Sequence, residues 1–132
     1  MEPIRQQLDA DIKILRRAIQ TLKEAVQTQP FNLIVRDATI QRFEYSFELS
    51  WKALQAAAEL FGVICNSPRE AIQFGFKVNL ILDSDAWFEA MKARSETSHV
   101  YNEDVARRVY DVASKFPEFR NRKIRKNVKP LF

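Results

Sequence analysis

Residues 32–62 read NLIVRDATIQRFEYSFELSWKALQAAAELFG, and this stretch decides the fold. Ile40, Phe43, Phe47, Trp51, Leu54, Ala58 and Phe61 recur at steps of three and four, the spacing of one face of an α-helix. Tyr45, Leu49, Ala53, Ala56 and Leu60 widen that face. Glu44, Glu48, Lys52, Gln55 and Glu59 mark a polar side, with Glu48 and Lys52 in the favourable i,i+4 order. So wide an apolar arc predicts a central helix with neighbours on two sides. Asn32 is placed to cap its start by accepting a first-turn N–H. Gly62 is placed to end it in the left-handed conformation.

Upstream, Pro3 suits the first position of a helix, where a missing N–H costs nothing. Ile4, Leu8, Ile12, Leu15, Ile19, Leu22 and Val26 then form one stripe, which Pro30 ends, with Phe31 anchoring the turn. Downstream, Val63, Ile64 and Cys65 predict a short buried connection. Ser67-Pro68-Arg69-Glu70 reads as a capping box with proline at the first helical position, opening a short helix through about Val78. Gly75 inside it costs about 1 kcal/mol relative to Ala, which points to close packing against another backbone. Leu80, Ile81 and Leu82 connect to a fourth helix capped by Asp83 and Ser84 and carrying Trp87, Ala90 and Met91. Asn102, followed by Glu103 and Asp104, opens the last helix, with acids where a helix dipole favours them. Its stripe is Tyr101, Val105, Val109, Val112 and Phe116, and Pro117 should kink or end it. The reading is an all-α, up-and-down antiparallel bundle of about five helices, one domain over residues 1–119.

Composition narrows the chemistry. The 132 residues include 2 Gly and 5 Pro, with 46% hydrophobic side chains. That is too apolar for a disordered chain and too poor in turn formers for a fold of many short strands. Gly62 and Gly75 stand alone, so no glycine-rich loop can cradle a nucleotide phosphate. Cys65 is the one cysteine and His99 the one histidine, which excludes a thiolate zinc cluster or a multi-His site. Cys65 sits among apolar neighbours and reads as inert. No metal or cofactor is expected. Without a signal core or a long apolar run, the expectation is a soluble, cytoplasmic protein.

The net charge is +4. Six of the 21 basic residues and none of the 17 acidic ones lie in residues 120–132, so the remainder holds 15 bases against 17 acids. The basic excess therefore belongs to a C-terminal tail. Such a tail is either a solvated terminus or an arm for RNA, DNA or an acidic partner surface.

The segment Arg94-Ser95-Glu96-Thr97-Ser98-His99-Val100-Tyr101 holds the candidate reactive groups. Arg94 falls on the stripe of Trp87 and Met91, where a guanidinium needs anionic partners. One reading is a packing Arg paired with a glutamate of the second helix. The other is phosphodiester chemistry without metal. There His99 would exchange a proton with a ribose hydroxyl, and Arg94 would stabilise the charged phosphorane. One histidine per chain leaves the acid/base pair incomplete, and a symmetric dimer would supply the second. Asp83-Ser84-Asp85 imitates the Asp-x-Asp metal site of nucleotidyltransferases, but helix capping explains both acids better.

Three blocks carry a family resemblance: Gln41 through Lys52, Ser67 through Ala71, and Arg94 through Glu103. Together they resemble the nucleotidyltransferase substrate-binding protein family of the HEPN superfamily, which includes HepT-type toxins. The resemblance covers roughly residues 1–119. It implies a homodimeric HEPN-like bundle that serves as the substrate-binding and regulatory subunit of a two-component nucleotidyltransferase system, half of a toxin–antitoxin type pair. It implies a small nucleotidyltransferase partner that supplies the Gly-Ser and Asp-x-Asp motifs. Arg94, His99 and Tyr101 match an Arg-x-x-x-x-His-x-Tyr motif. In toxin members that motif is a ribonuclease site silenced when AMP is added to the tyrosine. Arg42, Glu44 and Glu48 are candidates for the partner or substrate face. The alternative function is a metal-independent ribonuclease acting through Arg94 and His99. A third option is RNA binding through the tail alone.

Overall fold

Helix caps set where each element begins in the computed structural model, which describes residues 2–119. The basic segment 120–132 lies outside the described residues. Five α-helices follow in order: α1 (Glu2–Gln27), α2 (Leu33–Leu60), α3 (Pro68–Lys77), α4 (Ser84–Ser95) and α5 (Glu103–Phe119). A single 3-10 turn, Thr97–His99, separates α4 from α5, and no strand occurs among the described residues.

The predicted caps form. Asn32 Oδ1 accepts the Val35 N–H at 2.9 Å. Ser67 Oγ accepts the Glu70 N–H at 3.2 Å, while the Glu70 carboxylate reaches back to the Asn66 N–H. Asp83 Oδ1 accepts the Ala86 N–H at 3.0 Å. At the other end of α2, Gly62 has φ +74°, and Val63 N donates to Ala58 O while Gly62 N donates to Glu59 O. This paired closure satisfies two carbonyls the helix leaves open. Helix α3 ends the same way around Asn79, at φ 63°, with Leu80 N on Gly75 O and Asn79 N on Phe76 O.

Helix α2 is the hub and touches all four other helices. Its partner α1 buries Leu8, Leu15, Ile19 and Leu22. The polar Thr39, Ser46 and Ser50 are also buried on α2. Thr39 and Ser50 return their hydroxyls to the carbonyls of Val35 and Ser46, at 2.8 and 2.7 Å. Helix α3 packs on the C-terminal end of α2. There Gln55 donates to Cys65 O at 2.7 Å and Phe61 meets Phe74 with ring centres 5.6 Å apart.

Helices α4 and α5 close over the middle of α2 through Phe43, Phe47, Trp87 and Phe116. Their ring centres lie 5.3–6.3 Å apart in tilted and edge-on pairs, the arrangement aromatic quadrupoles favour. Arg36, only 8% exposed, donates through Nη1 to both oxygens of Glu103 at 2.8 and 3.0 Å and ties the start of α2 to the start of α5.

Four expectations need correction. Of the connection after α2 only Cys65 is buried; Val63 and Ile64 are exposed, because the Gly62 closure turns the chain out over the surface. The close neighbours of Gly75 are side chains, not backbone: an added Cβ would lie 2.9 Å from Leu54 Cδ2 and 3.3 Å from Ile81 Cγ1. Tyr101 precedes the Asn102 cap, so it leaves the α5 stripe and is exposed. Pro117 sits inside the last turn of α5 and does not end it. Proline's fixed φ suits a helix, and its missing N–H removes a single bond, to the carbonyl of Ala113. No helix among the described residues is long and apolar enough to cross a membrane.

Candidate functional site

The site is a turn between two helices. Helix α4 ends at Ser95, and Glu96 caps it by donating its N–H to Ala93 O at 3.1 Å. The next turns are local: His99 N donates to Glu96 O at 2.9 Å, and Asn102 N to His99 O at 3.1 Å. Asn102 Oδ1 then accepts the Asp104 and Val105 N–H groups at 2.9 and 3.2 Å and starts α5.

Arg94 stands on the last turn of α4. The i,i+4 spacing of Glu44 and Glu48 places both carboxylates on one face of α2, and α4 brings Arg94 to that face. Its Nε lies 3.1 Å from Glu48 Oε1 and its Nη2 lies 3.9 Å from Glu44 Oε1. Its Nη1 donates to Thr97 Oγ1 at 3.1 Å, and Thr97 in turn donates to Arg94 O at 2.9 Å. The second oxygen of Glu48 accepts Trp51 Nε1–H at 3.1 Å. Two carboxylates thus face one guanidinium. An incoming phosphate would compete with both of them for Arg94.

His99 and Tyr101 form a second group. Both are exposed, Tyr101 at 86%. The phenolic oxygen lies 3.5 Å from His99 Nδ1, and the rings meet edge-on with centres 6.0 Å apart. In the tautomer protonated at Nε2, Nδ1 is the acceptor for the phenolic hydrogen. Thr97 links the two groups, since it bonds Arg94 and lies in the same 3-10 turn as His99.

Arg42 joins neither group. Its Nη1 donates to Thr21 O at 2.7 Å, which makes it a tie between α1 and α2. Reading the sequence missed Glu96 and Arg108. The Arg108 guanidinium on α5 donates to the Glu96 carboxylate and holds it below the usual carboxylate range. Twelve residues and a change of helix separate the pair, so no local spacing announces it.

Two surface hollows lie elsewhere. One, of about 490 Å³, is lined by Phe61, Val63, Ile64, Cys65, Phe74 and Val78 beside Glu70, Gln73 and Lys77. The other, of about 470 Å³, lies between the C-terminal parts of α1 and α5. Neither includes Arg94, His99 or Tyr101. Among the described residues no group of three or more His, Cys, Asp or Glu side chains is placed to hold a metal ion. His99 and Tyr101 are exposed on the turn, where a macromolecule could reach them.

The family described as "Nucleotidyltransferase substrate binding protein like" matches residues 10–126. A crystal structure of a protein from Thermus thermophilus superposes with a TM-score of 0.73 at 36% identity, covering 80% of this chain and 91% of that one. No curated protein matches the chain.

Proposed function

The chain belongs to the nucleotidyltransferase substrate binding protein like family, and from that premise we propose that it is the helical, regulatory half of a two-component nucleotidyltransferase system. Its counterpart is a small catalytic subunit that holds the nucleotide. The two glycines here are a helix end and a packing contact, Gly62 and Gly75, so neither builds a phosphate loop. The pair is of the HepT-like, toxin–antitoxin type, and Tyr101 is the group its partner modifies.

The observation that carries this reading is the presentation of Tyr101: a phenol 86% exposed, on a turn fixed at both ends, with an imidazole nitrogen beside its oxygen. In the proposed step the Tyr101 oxygen attacks the α-phosphorus of ATP held by the partner. The bond to the β-phosphate breaks and pyrophosphate leaves. The phenolic proton passes to His99 Nδ1 or to solvent. Mixing the protein with its partner and ATP, then mapping mass changes by peptide, tests this. AMP on Tyr101 is the expected result. A stable complex without modification would support binding alone, and no complex at micromolar concentration would overturn the reading.

A second reading, metal-independent RNA cleavage by His99 and Arg94 of two paired chains, draws on the exposure of His99. Arg94 weighs against it, because its guanidinium already faces Glu48, Glu44 and Thr97. Cleavage that persists in EDTA and disappears in His99→Ala would favour this reading. Cleavage that survives His99→Ala would remove it.

A further inference from the structure

Among the described residues, three side-chain hydrogen-bond ties hold the turn that carries His99 and Tyr101, and one of them crosses it from outside. Asn102 caps α5 and belongs to the turn's exit. Thr97 bonds Arg94, which belongs to the helix just before it. The Glu96 side chain reaches across, to Arg108 on α5. Glu96 is the first residue after α4, and Arg108 lies within the second turn of α5. Their ion pair therefore closes a loop around Thr97, Ser98, His99, Val100, Tyr101 and Asn102.

We propose that Glu96 and Arg108 are positioning residues, whose ion pair sets the direction in which His99 and Tyr101 leave the surface and so their readiness for the partner's chemistry. This rests on Tyr101 being the modified group. Two features single out the pair. Glu96 is the less exposed member, its side chain 22% accessible against 53% for Arg108. The pairing also holds its carboxyl below the usual range, with Arg108 the main cause. The backbone bonds of the turn, Glu96 N to Ala93 O and His99 N to Glu96 O, involve neither side chain. Removing the pair thus leaves the backbone bonds and the buried Thr97 in place while loosening the turn against α5.

The test has two arms. In the protein alone, amide hydrogen exchange is followed across residues 96–102 in wild type, Arg108→Ala and Glu96→Ala. Faster exchange at His99 and Asn102 is expected, with an unfolding midpoint lowered no further than the loss of one exposed ion pair allows; unchanged exchange overturns the brace. In the second arm the partner nucleotidyltransferase and ATP are added and AMP incorporation is timed. A surface pair of this kind predicts a rate lower by up to about fivefold in either single variant, with KM for ATP unchanged. Recovery is expected in the charge-reversed double variant Glu96→Arg/Arg108→Glu. A variant rate equal to wild type, or no recovery in the double variant, overturns the proposal. If wild type itself is not modified, the Tyr101 reading fails, and the exchange arm alone decides the brace.

Discussion

Helix α4 serves two regions that are held together by different forces. At its first turns Trp87 is 0% exposed and lies edge-on to Phe116, within the four-ring cluster at the centre of the bundle. At its last turn Arg94 faces Glu44, Glu48 and Thr97, and the chain then passes into a turn whose key side chains are exposed. The cluster is held by area removed from water, which is large and does not depend on direction. The turn is held by a few polar contacts, which are weak but directional. One region sets whether the chain folds, and the other sets where His99 and Tyr101 point. Substitutions should therefore separate stability from function.

The sharpest test of that contrast is Trp87→Ala. Deleting a fully buried indole removes its transfer energy and leaves a cavity beside Phe47 and Phe116, at a cost of about 3–5 kcal/mol. Urea unfolding should show this as a large drop in midpoint. A drop below about 1 kcal/mol would mean that the cluster is not the stabilising centre.

Next in size is Gly75→Ala. The new Cβ would lie 2.9 Å from Leu54 Cδ2, and Leu54 is fully buried. Overpacking costs about 1–3 kcal/mol, against a helix-propensity gain of about 1 kcal/mol. A net loss of about 1 kcal/mol follows from those two terms, read from the same urea curves. A gain in stability would mean that Leu54 and Ile81 yield easily and the packing there is loose.

Smaller again is the contribution of ion pairs, and pH reveals it. Arg36 holds the Glu103 carboxyl below its ordinary value of 4.5, and Arg108 does the same for Glu96. A carboxyl with a lowered folded pKa binds fewer protons folded than unfolded. Its stabilisation is complete above 4.5 and is lost as pH falls through the lowered value. Melting temperature should thus be flat near neutral pH and fall under acid. Arg36→Met should flatten part of that fall, and an identical slope in the variant would dismiss the Glu103 contribution.

What could be read in the sequence divides along the same line. The caps at Asn32, Ser67, Asp83 and Asn102 and the end at Gly62 were legible because each is decided within about three residues. Most of the stripes of α1 and α2 were legible because burial follows helical spacing, but Phe61 and Tyr45, read as part of the α2 arc, are exposed, since among the described residues no element covers their outer sides. Asn79 shares the left-handed closure of Gly62, and its residue type was a usable signal left unread. The pairing of Arg94 with a glutamate of α2 could be posed as one alternative, but only the fold brings α4 to that face. Arg36 with Glu103, and Glu96 with Arg108, join residues distant in the chain with no shared period, so no local pattern contains them. Tyr101 misled because its spacing continues the α5 stripe by one step beyond the cap that begins the helix. Val63 and Ile64 misled because hydrophobicity predicts burial only where a neighbouring element arrives to cover it.

The smallest change in stability should come from Tyr101→Phe, and it is the most telling. The substitution removes one oxygen from a side chain 86% exposed, whose polar contact among the described residues is His99 Nδ1 at 3.5 Å. An exposed substitution of this kind shifts stability by no more than about 0.5 kcal/mol. The phenol is nonetheless the nucleophile of the proposed step, and phenylalanine has none. AMP incorporation, followed by mass spectrometry with the partner and ATP, should therefore vanish while the urea midpoint stays where it was. Were incorporation to persist at another residue, Tyr101 would lose its role, and the turn would be a binding surface with its chemistry elsewhere. Were the midpoint to fall instead, the division between a core that holds the fold and a turn that carries the function would itself be wrong.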